Sequence, residues 1–246
     1  MVRESTRDRR ARVAAMQAQQ KAAERRRLLA VIAACAVVIL AIAGGVAWAI
    51  MGERNKEQAA LDKLSNGAAS AACDPVITDP AVGSSDHFGP GTNKPEQTKA
   101  EYTTVPPSSG PHLASPVLGE RRVYTVADAP AVESLVHNLE HGYTILWYDP
   151  SVEKEQAGAF DALAKKINAM PEAGNKFLIT PWDTSRGAFP AGKKYALSHW
   201  FAKADSSGKV TEQAGKRQLC GGLSTEVVES FVKANPWSAA PEAGAA

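Results

Sequence analysis

Residues 28–52 contain no Asp, Glu, Lys or Arg and consist mainly of Ala, Val, Ile, Leu and Gly. At about 1.5 Å per residue, such a run crosses an apolar layer about 30 Å thick with some tilt, whereas the core helix of a soluble domain is usually shorter. Leu28 opens the run, and Trp48 lies near its end, where an indole ring favours the headgroup layer. The run reads as one transmembrane helix, and the rest of the chain divides around it.

Charge sets the expected orientation. Residues 1–27 carry nine Lys or Arg against three acids, a net charge of +6. The whole chain has 28 basic and 26 acidic residues, so 19 and 23 remain outside the tail and the remainder is net −4. The positive-inside rule keeps such a tail in the cytoplasm and puts the C-terminal region on the outer side of the cell membrane. A nucleic-acid role for the tail is set aside, because a solvated or anionic-lipid-facing segment accounts for it. Ala47-Trp48-Ala49 resembles a small-x-small cleavage site, but a secretory apolar region is only about 7–15 residues long, so the anchor is read as uncleaved.

Of the three cysteines, Cys35 lies inside the span, where it packs as a small apolar residue. Cys73 and Cys220 bracket the exported region, in a compartment where disulfides persist, and are expected to bond to each other. In the chain-entropy model so long a loop contributes up to about 4–5 kcal/mol. The alternative is two free thiols, one of them a metal ligand.

The expected organisation is a basic cytoplasmic tail (1–27), the span (28–52), a helical stalk and linker (53–72), an exported domain (73–236) and a disordered small-residue tail (237–246). Residues 53–64 keep helical spacing, and the small residues of 65–72, with Asn66-Gly67, read as a break. Residues 74–116 are rich in Pro, Gly, Ser and Thr and read as ordered loop with short strands, tied at one end by Cys73. After that the spacing predicts a strand over 123–126, a helix over 130–141 ended by Gly142, a buried strand over 143–148, and a helix capped by Asp149-Pro150. Further strands are expected over 177–180 and 195–201, a turn at 206–208 and a last helix over 225–234. The fold class is α+β: a single transmembrane helix, then one compact extracytoplasmic domain with a small mixed sheet flanked by helices, its strand order left open.

All five histidines lie in the exported region. In His137-Asn138-Leu139-Glu140-His141 the imidazoles are four apart on a predicted helix, project from one face and can share a metal at about 2.0–2.1 Å. Glu140, one turn from His137, could ligate, orient an imidazole or act as a base. His112 follows the stiff run Pro106-Pro107-Ser108-Ser109-Gly110-Pro111, and His87 lies upstream beside Asp86. Imidazoles without soft sulfur suit copper(II) or zinc. The bland reading gives His141 a place at a helix C-terminus, where the dipole favours a cation, and Glu140 a Lys or Arg partner. His199 is expected to pack in or beside a strand, and Tyr102, Trp147 and Trp200 to be core.

The run from Tyr102 through Pro106-Pro107-Ser108-Ser109-Gly110-Pro111-His112, followed by Leu135-Val136-His137-Asn138-Leu139-Glu140-His141-Gly142, resembles the domain-of-unknown-function 3105 family, common in actinobacteria. Ser108 stands where the family carries Thr. The resemblance implies a membrane-tethered or secreted domain, shared use of His87, His112, His137 and His141, and no established activity. It implies no role for His199.

Three functions compete. The first is a non-catalytic copper- or zinc-binding accessory domain in metal handling or in assembly of a membrane complex. The second is a structural or interaction subunit of a larger membrane complex, for example a respiratory one. The third is a zinc hydrolase, since His137-x-x-Glu140-His141 matches the inverted zincin pattern with Glu140 as base. Against it, Gly142 cuts the helix short.

Overall fold

A computed structural model describes residues 6–64 and 67–245; Ser65 and Asn66 of the expected linker, residues 1–5 of the basic tail and Ala246 lie outside the described residues. The chain divides into two compact units, Met1–Lys56 and Glu57–Ala246.

The described residues of the first unit lie within helix α1 (Thr6–Leu64). Its residues 9–56 are all exposed, and the apolar stretch within α1 is long and apolar enough to cross a membrane. Cys35 is a free, exposed thiol on it. The helix does not end with the apolar run, since its backbone hydrogen bonds continue through the charged residues to Leu64.

The second unit opens with the last turns of α1, where Leu61 and the buried Leu64 join the core and Glu57 accepts from Lys165 at 2.5 Å. A single helical turn, α2 (Gly67–Ser70), leads into Cys73. The strands are β1 (Ile77–Pro80), β2 (His87–Phe88), β3 (His112–Leu113), β4 (Thr144–Tyr148), β5 (Phe177–Pro181), β6 (Tyr195–Ala204) and β7 (Val210–Cys220). The helices are α3 (Val132–Glu140), α4 (Glu153–Asn168) and α5 (Thr225–Ala234).

Five strands form one mixed sheet in the order β1-β7-β6-β4-β5, with β4 and β5 parallel and the other pairs antiparallel. Alternation along the strands sorts side chains to two faces. Leu146, Tyr148, Phe177, Ile179 and Leu197 pack against Phe160, Leu163 and Ile167 of α4 and Val228 and Phe231 of α5. Ile145, Trp147, Leu178, Ala196 and Trp200 pack against Leu135, Val136 and Leu139 of α3. The sheet is therefore covered on both sides, and β4 and β5, buried at every residue, read as unbroken apolar runs for that reason. Asp149 accepts from Ser151 N–H at 2.9 Å, and Pro150–Val152 form a 3-10 turn before α4.

Three expectations change. Residues 123–126 make only an isolated bridge, Val123 to Ile179, before a turn. Strand β7 went unread because it lacks a clean apolar alternation: Thr211-Glu212 and Lys216-Arg217 put polar or charged residues on both faces, around Ala214 and Gly215. Residues 237–245, expected to be disordered, fold back onto the domain: Trp237 N–H donates to Glu172 O at 2.9 Å, Ala202 N–H to Ala239 O at 3.0 Å, and Glu242 N–H to Glu140 O at 3.0 Å. Lys176 Nζ grips the carbonyls of His141, Ala243 and Ala245 at 2.8, 3.0 and 3.0 Å. Small residues suit this path, since Ala240 is buried and bulk would not fit there.

Cys73 and Cys220 are bonded to each other across 147 residues, joining the start of the domain to the end of β7. Replacing either by Ser is expected to lower unfolding stability by up to about 5 kcal/mol. Chemical denaturation with and without reductant measures it, and coincident wild-type curves would contradict the assignment.

Candidate metal centre

The site begins with two residues of parallel pairing. Strands β2 and β3 match His87 with His112 and Phe88 with Leu113, so the two imidazoles emerge side by side from one face. His112 N–H donates to Asp86 O at 3.1 Å and Ala114 N–H to Phe88 O at 2.9 Å, which fixes the register.

The Pro-rich segment before His112 is pinned at several points. Tyr102 Oη donates to Pro111 O at 2.9 Å, and Val82 N–H donates to Ser109 Oγ at 3.2 Å. Ser108 lies over Gly215 of β7, where a Cβ would come within 2.1 Å of its Oγ. Its hydroxyl also reaches Asp79 Oδ2 at 3.4 Å, and Asp79 is held by both Arg217 Nε and NH2, at 2.6 and 3.1 Å.

Helix α3 supplies the rest. His137, Glu140 and His141 fall on one face by the three- and four-residue spacing, as expected. Gly142 takes φ +91° and ends the helix, and a Cβ there would also strike Trp237 O at 2.1 Å. Asn138 turns the other way and clamps Val117, accepting from its N–H at 2.8 Å and donating to its O at 3.0 Å.

His87, His112, His137 and Glu140 converge, with one possible ligand atom from each and all of these within 4.8 Å of one another. His112 Nδ1 lies 2.7 Å from Gly110 O and His137 Nδ1 lies 2.6 Å from Leu113 O. A carbonyl only accepts, so each Nδ1 carries the hydrogen and each Nε2 turns its lone pair inward. This backbone anchoring is the usual means by which metal-binding histidines are oriented. Trp200 on β6 packs edge-on against His112, ring centres 5.9 Å apart, and walls the site on the sheet side.

Glu140 is fully buried. Its Oε1 accepts from Ser85 N–H at 2.8 Å, with Ser84 Oγ at 3.4 Å. Ser85 adopts φ +57°, a left-handed conformation costly for a residue with a Cβ, and this aims its N–H at the carboxylate. Glu140 Oε2 faces His112 Nε2 at 2.9 Å and His87 Nε2 at 3.5 Å. His112 Nε2 and Glu140 Oε2 are both buried and lie 2.9 Å apart, but their contact lacks the direction of a hydrogen bond.

Electrostatics agree with a site built for a cation other than a proton. Burial pushes the His137 imidazole down to about 4, reinforced by His112, His141 and His87 and opposed by the Leu113 carbonyl. Burial alone would raise the Glu140 carboxyl. The His112 side chain, the Ser85 N–H and the nearby His112 and His87 rings more than offset this and hold it below its ordinary value. The His137 imidazole and the Glu140 carboxylate are thus both open to a cation at neutral pH.

His141 stands beside this group rather than in it. Its Nε2 is 3.0 Å from His137 Nε2 and 3.6 Å from Glu242 Oε2. The expectation that His137 and His141 form the central pair is thereby corrected: the inward partners of His137 are His112, His87 and Glu140. Glu242 was missed altogether, since it sits in a segment that composition alone reads as disordered.

The family comparison covers most of these residues. A family model described as a protein of unknown function, DUF3105, matches residues 93–246. The chain belongs to this family. The matched region includes His112, His137, Glu140, His141 and the folded tail with Glu242, whereas His87 lies before it. No curated protein and no solved structure matches the chain.

His199 is on the opposite face of β6 from Trp200, as alternation requires, and is fully buried outside the cluster. Its Nδ1 lies 3.1 Å from Thr144 Oγ1 and its Nε2 3.3 Å from Ala239 O. Burial pushes it down to about 4, against the backbone hydrogen bonds of Ala239 and Tyr143. The unfolded chain binds a proton here near pH 6.5 and the folded chain does not, so this contribution to stability is full above about pH 6.5 and is lost as pH falls toward 4. His199→Gln is expected to flatten the fall in stability across that window by roughly 3 kcal/mol, measured by denaturant titration at fixed pH values.

Proposed function

We propose that the domain is a membrane-anchored, non-catalytic binder of one transition-metal ion, copper(II) by preference, held by His87, His112, His137 and Glu140. The observation that carries this reading is the convergence of four ligand atoms, two of them buried without directed hydrogen-bond partners. Polar atoms left so in an apolar interior cost several kcal/mol unless something engages them. Metal–ligand bonds of about 2.0–2.1 Å put neighbouring ligand atoms about 2.9–3.3 Å apart. The 2.9 and 3.5 Å spacings here are close to that range.

The donor set argues for the metal. Imidazole and carboxylate without thiolate or thioether favour borderline divalent ions, and copper(II) heads the stability order among them, with zinc next in suitability. Such a site would hold the ion as a stable oxidised species and would bind copper(I) weakly.

The hydrolase reading fares worse. Glu140 has one carboxylate oxygen bonded to Ser85 N–H and turns the other toward the proposed ion, and α3 ends at it, so on this reading no carboxylate oxygen is left to serve as a base. A purely structural role does not account for ligand atoms turned toward one another.

The basic tail, the apolar helix and the net negative remainder support an inside N-terminus and a domain at the outer membrane face. There the ion would be exchanged with a membrane-bound partner, the anchor keeping both on one surface. The histidine chemistry and the location together give metal handling or assembly as the role.

Metal analysis of the full chain purified in detergent is the test. About one copper per chain is expected as isolated or after copper(II) addition, with a rise in melting temperature corresponding to about 2.7 kcal/mol at a hundredfold excess over Kd. His112→Ala and His137→Ala are expected to weaken binding more than about 100-fold, beyond the usual loss from removing an orienting partner, while His199→Gln keeps it. Zinc in place of copper would change the metal only. Absence of both metals together with no thermal shift would end the proposal.

A further inference from the structure

Beyond that four-residue site, and resting on it, we infer that the ion enters and leaves through a second, outer ligand set made of His141 and Glu242, with His137 common to both sets. Three observations lead there. His137 Nε2 and His141 Nε2 are 3.0 Å apart, close enough for one cation to be shared between them. Glu242 Oε2 lies 3.6 Å beyond His141 Nε2, and its side chain is 40% exposed, whereas that of Glu140 is 0% exposed. A graded path of oxygen and nitrogen ligands therefore runs from solvent at Glu242, through His141 and His137, to His112 and Glu140 inside.

The tautomer of His137 decides how the path works. Its Nδ1–H is committed to Leu113 O at 2.6 Å, so Nε2 offers a single lone pair. One lone pair serves one ion, so the outer and inner sets cannot both be filled. The ion passes from one to the other by exchanging His141 and Glu242 for His87, His112 and Glu140 while His137 stays bound.

The backbone places Glu242 for this task. Its N–H donates to Glu140 O at 3.0 Å, which ties the outer carboxylate to the very residue that carries the inner one. Lys176 holds the carbonyls of His141 and Ala243 with one ammonium group, which keeps the tail and the end of α3 together. A carboxylate at the mouth of a site raises the encounter rate of a cation, by tenfold or more in favourable cases.

The alternative entrance is His87, whose side chain is 28% exposed. Loading kinetics separate the two. Copper(II), supplied as its glycine complex to the metal-free full chain in detergent, should quench the fluorescence of Trp200, which packs on His112. The wild-type chain should bind one ion. Glu242→Gln and His141→Gln should each slow quenching about tenfold and slow release to EDTA by the same factor, the signature of a shared path. The double variant should be little slower than either. Unchanged rates, two ions per wild-type chain, or faster release with unchanged loading would each overturn the inference while leaving the inner site intact. A wild-type chain that binds no copper(II) or zinc overturns both. Glu242 is on the surface, so Glu242→Gln carries the test should His141→Gln disturb the fold.

Discussion

A buried carboxylate governs the design of the C-terminal domain. Glu140 is fully enclosed, and a charge taken out of water costs several kcal/mol unless the surroundings replace its hydration. Each neighbouring feature answers that demand. Ser85 accepts an unfavourable backbone conformation to direct an N–H at one oxygen, and two histidines face the other. The Pro-rich segment, expensive to order, is worth ordering because it delivers His112 to this point. Gly142 ends α3 immediately past the site, which lets β4 enter the sheet and lets the C-terminal segment close over the helix end.

Much of this was legible in the residues, and the parts that were not share a cause. The span, the disulfide, helices α3 to α5 and strands β4 to β6 all advertise themselves through local pattern: an uncharged run, a cysteine pair on one side of it, apolar periods of 3.6 or unbroken apolar stretches. The histidines were legible as types. Spacing alone did not give their grouping, which came only from the family resemblance, because it depends on contacts between residues far apart in sequence. His137 and His141 share a helix face, but so does Glu140, and only the β2–β3 pairing reveals that the crowded side is the one facing His112. Strand β7 hides because its charged residues fall on both faces and break the apolar alternation. The tail hides behind its small residues, whose lack of bulk is what allows it to lie flat against the domain, and with it Glu242 was lost from view.

His199 and His112 make a useful contrast. Both are buried and both contact backbone carbonyls, yet one is satisfied by Thr144 and Ala239 and the other turns a nitrogen toward a carboxylate without a directed hydrogen bond. Burial of a histidine therefore says little by itself. What separates packing from binding is whether the second ring nitrogen has somewhere to go.

The two-residue pairing of β2 with β3 has a further consequence. Nothing so short is stable alone, and the residues it unites belong to segments separated from each other and from α3 by long stretches of chain. The three imidazoles therefore come together only after the loops have closed and the sheet has formed beneath them. An ion that preferred the assembled set would discriminate against every partly folded form, so under the proposed function its affinity would double as a proofreading signal, since only a completely built chain could hold it.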